Sequence, residues 1–467
     1  MSSFQGLNTA LSGLMAQRRA MEIAAQNIAN QNTDGYTRQR TDLASVGGNT
    51  VPAIHSTWKG AGSGITVTGQ ARIRDAFLEG RSHVEGGIHA KLESADTVMT
   101  SIEQAFREPG ELGLQDAMAK LFTSFGDVRN DAATTDGNLA PRNVVLGNAQ
   151  GVVDALHDMD RSMSASVVAY SDKVDMLTTE VNSTAVNLAQ LNGAIKQGTM
   201  AGLPVNELMD KRDVLVSKLA TLIGATAKPV ADGVVDVYVG AKALVTGRNA
   251  ESVVVTRAAG RITGLNLASG PLVGTPVALT SGSATGLIDA VRAGGVIDSY
   301  RSRLDVVAKQ LHDDVNAVHS SGYDLITPGV TAGAMFGSSG GPVTAASLTL
   351  VVTDPLGLAA SDAPGPSSNV ANANNLFEVG SGIDSRYRQV IADLGVEGLT
   401  SARRLDVQAG SLSLINASRE SQSGVSTDEE LALLLSYQRA YEAAARVMTT
   451  VDSALDTLIN RTGLVGR

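Results

Sequence analysis

The C-terminal stretch carries the tightest constraint in the chain. Leu434, Tyr437, Tyr441, Ala444, Met448, Val451, Leu455 and Leu458 recur at alternating three- and four-residue steps without a miss. That spacing places all of them on one narrow face of an α-helix, the pattern of a helix that pairs with another helix. The opening stretch has the same rhythm in Phe4, Leu7, Leu11, Leu14, Met21, Ala25 and Ile28, with Arg18 where one more apolar residue is due. Burying about eight side chains per stripe at ~1.5–3 kcal/mol each falls short of the ~1.5 kcal/mol per residue lost on ordering such a helix. The first and last helices are therefore expected to pair with each other and then to pack against neighbouring copies, each poorly ordered until they do. The competing reading, that both stripes face the core of one globule, fits the periodicity equally well.

Between these ends the chain reads as helix interrupted twice by β structure. Asn30, Asn32, Asp34 and Gly35 predict a helix stop near residue 32. The glycines of Gly60–Thr68 precede a β-branched strand and lack the spacing of a phosphate loop. Helix resumes from about residue 82 and stops at Glu108-Pro109-Gly110; a shorter helix follows, then a polar loop at 131–138. From Pro141 a heptad rhythm from Val145 to Ile195 holds for about fifty residues, a rod of roughly 75 Å at ~1.5 Å per residue. Alternation in Val234–Gly240, in SVVVT and in RITGLNL predicts an inserted β domain. Helix returns from Leu287 to a Gly322 stop, and residues 323–385 read as a second, loop-rich β excursion. Ser426 with Glu429, or Thr427 with Glu430, forms a capping box at the start of the last helix.

Composition removes most chemistry. The chain of 467 residues has no cysteine, which excludes disulfides, thiolate metal sites and cysteine nucleophiles together. A formal net charge of −10 disfavours nucleic acid and acidic membrane surfaces as partners. No apolar run reaches the ~18 residues of a membrane span, and the N-terminus lacks the pattern of a cleaved secretory signal. His312 and His319 share a helix face beside Asp313 and Asp314 but have no third spaced ligand, so no metal is expected. Asp210, Arg212 and Asp213 read as a surface ion-pair network rather than an acid–base pair. No catalytic residue, metal or cofactor is assigned.

Several motifs remain that core packing does not explain. Asn27-Ile28-Ala29-Asn30 followed by Thr33-Asp34-Gly35-Tyr36, together with Gln438-Arg439-Ala440-Tyr441 near the other end, resembles the signature of the bacterial flagellar axial family of rod, hook and hook-associated subunits. Gly62–Arg81, Leu208–Asp213, Val315–His319 and Thr353-Asp354-Pro355 resemble segments of its hook-associated junction members, in the same order. The motif residues are Asn27, Asn30, Thr33, Gly35, Tyr36, Gln438 and Tyr441. Two positions depart from the family pattern, Arg18 in the first seam and Val451–Ala454 in the last helix.

The fold expected is mainly α with inserted β domains. A terminal coiled-coil domain spans 1–36 plus 426–467, a helical rod domain with short β segments spans 37–225 plus 286–425, and an outer β domain spans 226–285. The assembly interface is expected on Phe4, Leu7, Leu11, Leu14, Met21 and Ile28 with Leu434, Tyr437, Tyr441, Met448, Val451, Leu455 and Leu458. The resemblance implies a non-enzymatic structural subunit, exported by the flagellar type III apparatus without a cleaved signal and resident outside the cell. Its implied partners are copies of itself, the hook protein, a second hook–filament junction protein and an export chaperone, with no nucleic acid and no membrane insertion. The alternatives are another rod or hook subunit, a coiled-coil signalling protein of chemoreceptor type, and a secreted enzyme housed in 226–285.

Overall fold

The computed structural model of the chain describes residues 2–47, 62, 64–111, 113–130, 139–327, 329–364, 369–457 and 459, with side chains from Gly6 onward. The polar loop 131–138 and Leu458 lie outside the described residues, as do Asn460 and Gly463, whose residue types suit the end of the last helix, and the side chain of Phe4. The first helix, α1 (Ser2–Ala29), leads through a turn into an antiparallel hairpin of β1 (Gln39–Ser45) and β2 (Ile65–Arg72), in which Gln39 faces Arg72 and the register shifts once, between Asp42 and Leu43. Helix α2 (Ala76–Phe106) starts earlier than residue 82 because Asp75 caps it, its carboxylate accepting from the amides of Phe77 and Leu78 at 2.8 and 3.2 Å.

The body is built on α4 (Ala140–Met200), preceded by α3 (Leu114–Asn130) and followed by α5 (Asn206–Ile223). At 61 residues α4 outruns the heptad stretch that announced it and measures about 90 Å. Pro141 sits in its first turn, where a missing amide costs nothing. Gly224, at φ +69°, stops α5 and opens the β insertion. There β3 (Thr226–Pro229), β4 (Val235–Val239), β5 (Lys242–Thr246) and β6 (Asn249–Ala250) form one antiparallel sheet. A second sheet is made of β7 (Val253–Ala258), β8 (Arg261–Leu267) and β9 (Pro276–Val277). Two asparagines of α4 hold the sheets to the rod. Asn192 donates to the carbonyls of Val235 and Gly247 at 2.8 and 2.9 Å, and Asn182 donates to that of Val253 at 2.9 Å.

Helices α6 (Ser283–Val291) and α7 (Val296–His319) return the chain to the body. Among the described residues the second excursion holds two three-residue strands, β10 (Phe336–Ser338) and β11 (Leu348–Leu350), and it ends at residue 370 rather than 385. The Asn-rich run after it is the start of α8 (Ala371–Ser423), because Asn372 is buried and donates to Ala359 O at 2.8 Å while Leu376, Ile383 and Tyr387 fill the core. His319, the last residue of α7, is fully buried and pins the helix end to the core. Its Nδ1 bonds Gly333 O at 2.8 Å and its Nε2 accepts from Ala359 N at 3.1 Å. The chain closes with α9 (Thr427–Asp456).

The fold is thus mainly helical, with small β insertions and long helices at both ends. Its core centres on an aromatic cluster: Phe106 meets Tyr300 edge-on at 6.0 Å and stacks on Tyr387 at 6.4 Å, tying α2, α7 and α8 together. Phe106→Ala should cost about 3–5 kcal/mol. Urea unfolding would register this as a lower midpoint with an unchanged slope.

Candidate assembly site

Helices α1 and α9 lie side by side and antiparallel. A Cβ placed on Gly6 would touch Val451 Cγ2 at 3.6 Å and one on Gly13 would touch Ala444 Cβ at 3.8 Å, so seven residues forward along α1 match seven residues back along α9. The same register continues to Asn27, whose amide meets Glu430. The face of α1 that makes this contact is not the bulky stripe. Ala10, Ala16, Ala20, Ile23, Ala24 and Asn27 are buried, whereas Leu7, Leu14, Met21 and Ile28 are half-buried and Leu11 is 37 % exposed. Small side chains let the two backbones approach closely, which displaces the larger ones to the flank. Arg18 then has its reason: its row points outward, and it pairs with Glu22 in solvent at 3.1 Å.

On α9 the spacing located the seam more closely. Leu434, Tyr437, Met448, Val451 and Leu455 are half-buried, Tyr441 is 37 % exposed and Gln438 is exposed. Glu430 is the only buried residue of this helix. It is not part of a capping box: Ser426 makes no side-chain cap bond, and Glu430 turns inward instead.

Glu430 is the centre of a polar neck where the helix pair joins the body. Arg38 Nε donates to its Oε1 at 2.7 Å, and Asn27 Nδ2 donates to its Oε2 at 3.1 Å. Asn27 also donates to Gln39 O at 2.9 Å, while its Oδ1 accepts from Tyr36 OH at 2.8 Å and Gln39 N at 3.0 Å. Arg38 reaches Glu429 at 2.9 Å, and its amide donates to Ser423 O at 3.1 Å. The motif residues build the turn that makes this possible. Asn30 Nδ2 donates to Gln26 O, Thr33 Oγ1 donates to Asn30 Oδ1, and Gly35 has φ +75° with no room for a side chain against Val214. Burial, and after it the carboxylates of Asp210, Glu430 and Glu207, pushes the Tyr36 hydroxyl up to about 12, which keeps it a donor.

Below the neck, Asp210 and Asp213 of α5 form a network that is buried rather than on the surface. Arg72 bonds Asp210 and Asp213 at 2.7 and 2.8 Å, Arg212 bonds Asp213 at 2.8 Å, and Arg74 bonds both Asp213 and Glu79. Burial acts to raise the Asp213 carboxyl, but Arg212, Arg74 and Arg72 outweigh it and hold it below the usual range. A polar cleft of about 680 Å³ opens beside this network, walled by the 31–37 turn and by the Gly424-Val425 linker. A smaller cavity of about 220 Å³ lies between α1, β1 and α9, lined by Gln39 and Thr41, whose buried Nε2 and Oγ1 have no hydrogen-bond partner among the described residues. Among the described residues, no group of three or more His, Asp or Glu is placed to hold a metal ion, and no helix is long and apolar enough to cross a membrane.

The ends of the chain also match known families. Residues 7–37 match the flagella basal body rod protein family, and residues 417–461 match the C-terminal family of the flagellar basal body rod proteins FlgEFG. Those two matches, on the paired helices and their neck, define the class as structural proteins of the flagellum. Residues 99–336, half of the chain, match the helical domain of the flagellar hook-associated protein FlgK, and the chain belongs to that hook-associated protein family, which is structural and not a family of enzymes. It is 28 % identical to flagellar hook-associated protein 1 of Bacillus subtilis over 100 % of both chains. It is also 28 % identical to the protein of the same name from Salmonella typhimurium, over 68 % of this chain and 57 % of that one. A solved structure of the flagellar hook junction protein FlgK from Burkholderia pseudomallei is similar at 23 % identity and TM-score 0.49, covering 56 % of this chain and 47 % of that one.

Asn27→Ala removes the partner of four groups at once and should cost about 1–3 kcal/mol. Hydrogen exchange would quicken at the end of α1 and the start of α9 while α4 stays protected. Because the Asp213 carboxyl is held low, its contribution to stability is complete above the ordinary carboxylate value of about 4 and is lost as pH falls from there through the lowered native value. Asp213→Asn should flatten that acid limb in a series of melts from neutral pH downward.

Proposed function

We propose that this protein is a junction subunit that joins the flagellar hook to the filament, and that the outward bulky stripe of its terminal helix pair is the surface by which copies assemble. One observation carries the reading: α1 meets α9 through its small residues, leaving Leu7, Leu14, Met21 and Ile28 only partly covered and Leu11, like Tyr441, 37 % exposed. A soluble helix does not keep such a row facing water unless something else covers it. The other positions proposed for the interface are Leu434, Tyr437, Met448, Val451 and Leu455 of α9, half-buried along its seam with α1, and, by their sequence spacing alone, Phe4 and Leu458. The motif residues Asn27, Asn30, Thr33, Gly35 and Tyr36 set the angle at which the pair leaves the body, with Gln438 and Tyr441 on the outside for a neighbour.

The chain divides on this reading into a terminal pair (1–36 plus 426–467), a helical body (37–225 plus 286–425) and an outward β insertion (226–285). Copies of the chain contact the hook protein on one side and a second junction protein on the other. An export chaperone covers the C-terminal seam before the subunit passes, without a cleaved signal, through the type III apparatus to the cell exterior. The subunit does no catalysis.

Deleting the gene should leave hooks without attached filaments, and restoring it as Leu11→Asp, Leu14→Asp should not repair the loss although the purified variant folds normally by circular dichroism. Normal filaments in the deletion strain refute the junction role. Full repair by the double variant refutes the stripe.

A further inference from the structure

A second uncovered row lies on the body. On α8, Val396, Leu399 and Val407 are 65, 61 and 75 % exposed, and with Arg403 among them they follow steps of three, four and four residues along one face. On α4, Ala165, Val168, Asp172 and Met176 repeat those steps, with Val168 and Met176 61 and 65 % exposed, on the side turned away from buried Met163 and Val174. Single exposed apolar residues are ordinary; two rows with identical spacing are a pattern. Each row has one charge at its third position, of opposite sign, and neither Arg403 nor Asp172 has an ion-pair partner among the described residues.

The two rows cannot meet within one chain. Helix α8 packs on α2, α3 and α7, and those three pack in turn on α4, so the rows face outward from opposite sides of the body. They do run in the same direction. The chain reaches the neck just after α4, where Asn206 donates to Gln39 Oε1 at 2.9 Å, and again at the end of α8, where Ser423 O accepts from Arg38. Copies standing side by side with their necks level therefore present α8 of one parallel to α4 of the next.

We propose that the α8 row of one copy docks on the α4 row of the next, with Arg403 against Asp172, Leu399 against Val168 and Val407 against Met176. The contact is head-to-tail: each copy uses one row and leaves the other free, so the association propagates around a ring or helix. It rests on the reading that copies assemble and carries that reading from the terminal helices to the body. Seam charges of opposite sign fix the register and exclude the like-with-like pairings α8–α8 and α4–α4.

The chain's lack of cysteine makes the test direct. A Val407→Cys, Met176→Cys double variant, concentrated and oxidised, should give a ladder of cross-linked oligomers, and neither single variant should cross-link to itself. Arg403→Glu or Asp172→Arg added to that background should cut the ladder by about tenfold, and both together should restore it. Both positions are exposed, and circular dichroism of each variant checks that the fold is kept. Self-linked single variants, a ladder indifferent to both charge reversals, or failure of the double reversal to restore it overturns the contact. So does an adduct with another flagellar subunit in place of the ladder. Assembled particles without the 407–176 cross-link overturn the docking and leave the terminal-helix reading standing, whereas a protein that stays monomeric and uncross-linked overturns both.

Discussion

A carboxylate buried at the start of the last helix governs the architecture. Glu430 is 2 % exposed, and a charge at that depth has to be met by a cation and by hydrogen bonds. Arg38 and Asn27 meet it, and both come from the other end of the chain. The pairing is better understood as a specifier of register than as a source of stability. Sliding α9 by one heptad along α1 would leave the small-residue seam acceptable at most positions, since Ala and Gly fit almost any partner, but would strand Glu430 inside without its guanidinium. The polar neck thus decides what the bland seam leaves open.

The same logic separates what the sequence revealed from what it did not. The helices were legible because bulky apolar residues at three-four spacing are conspicuous, and the β insertion was legible because β-branched alternation and glycine mark it. The contact face of α1 was not, because a reading weighted by side-chain size follows Leu7, Leu11 and Leu14 and passes over Gly6, Ala10, Gly13 and Ala20, whose value lies in being small. Glu430 was misplaced for a related reason. Three residues after Thr427 it has the spacing of a cap, and no local signal announces that a guanidinium 392 residues away will claim it. Asp210, Arg212 and Asp213 were recognised as an ion-pair group, yet their burial follows only once Arg72 and Arg74 arrive from the hairpin. The start of α8 was hidden by asparagines, which usually break helices but here serve the core.

The neck and body divide the labour of the fold. Two turns enter the neck, at 30–38 and 424–426, and the motif residues of the first are consumed in shaping it. The β insertion is tied to α4 by the bonds of Asn182 and Asn192 to the sheets, and to the buried ion-pair network by Arg212, which donates to Gly233 O. The insertion therefore leans on the rod and on α5 rather than on the terminal helix pair.

The antiparallel pairing of the first helix with the last has a temporal side. During synthesis α1 emerges before α9, and its Ala- and Gly-lined face has no counterpart until the ribosome has passed all the helices between them. A nascent chain is accordingly denied this clasp until α9 has been made, and a product that stops before residue 430 lacks the carboxylate that Arg38 and Asn27 hold. Closure of the clasp thus waits on α9, and a copy that stops short of that helix is left with an α1 that has nothing to hold.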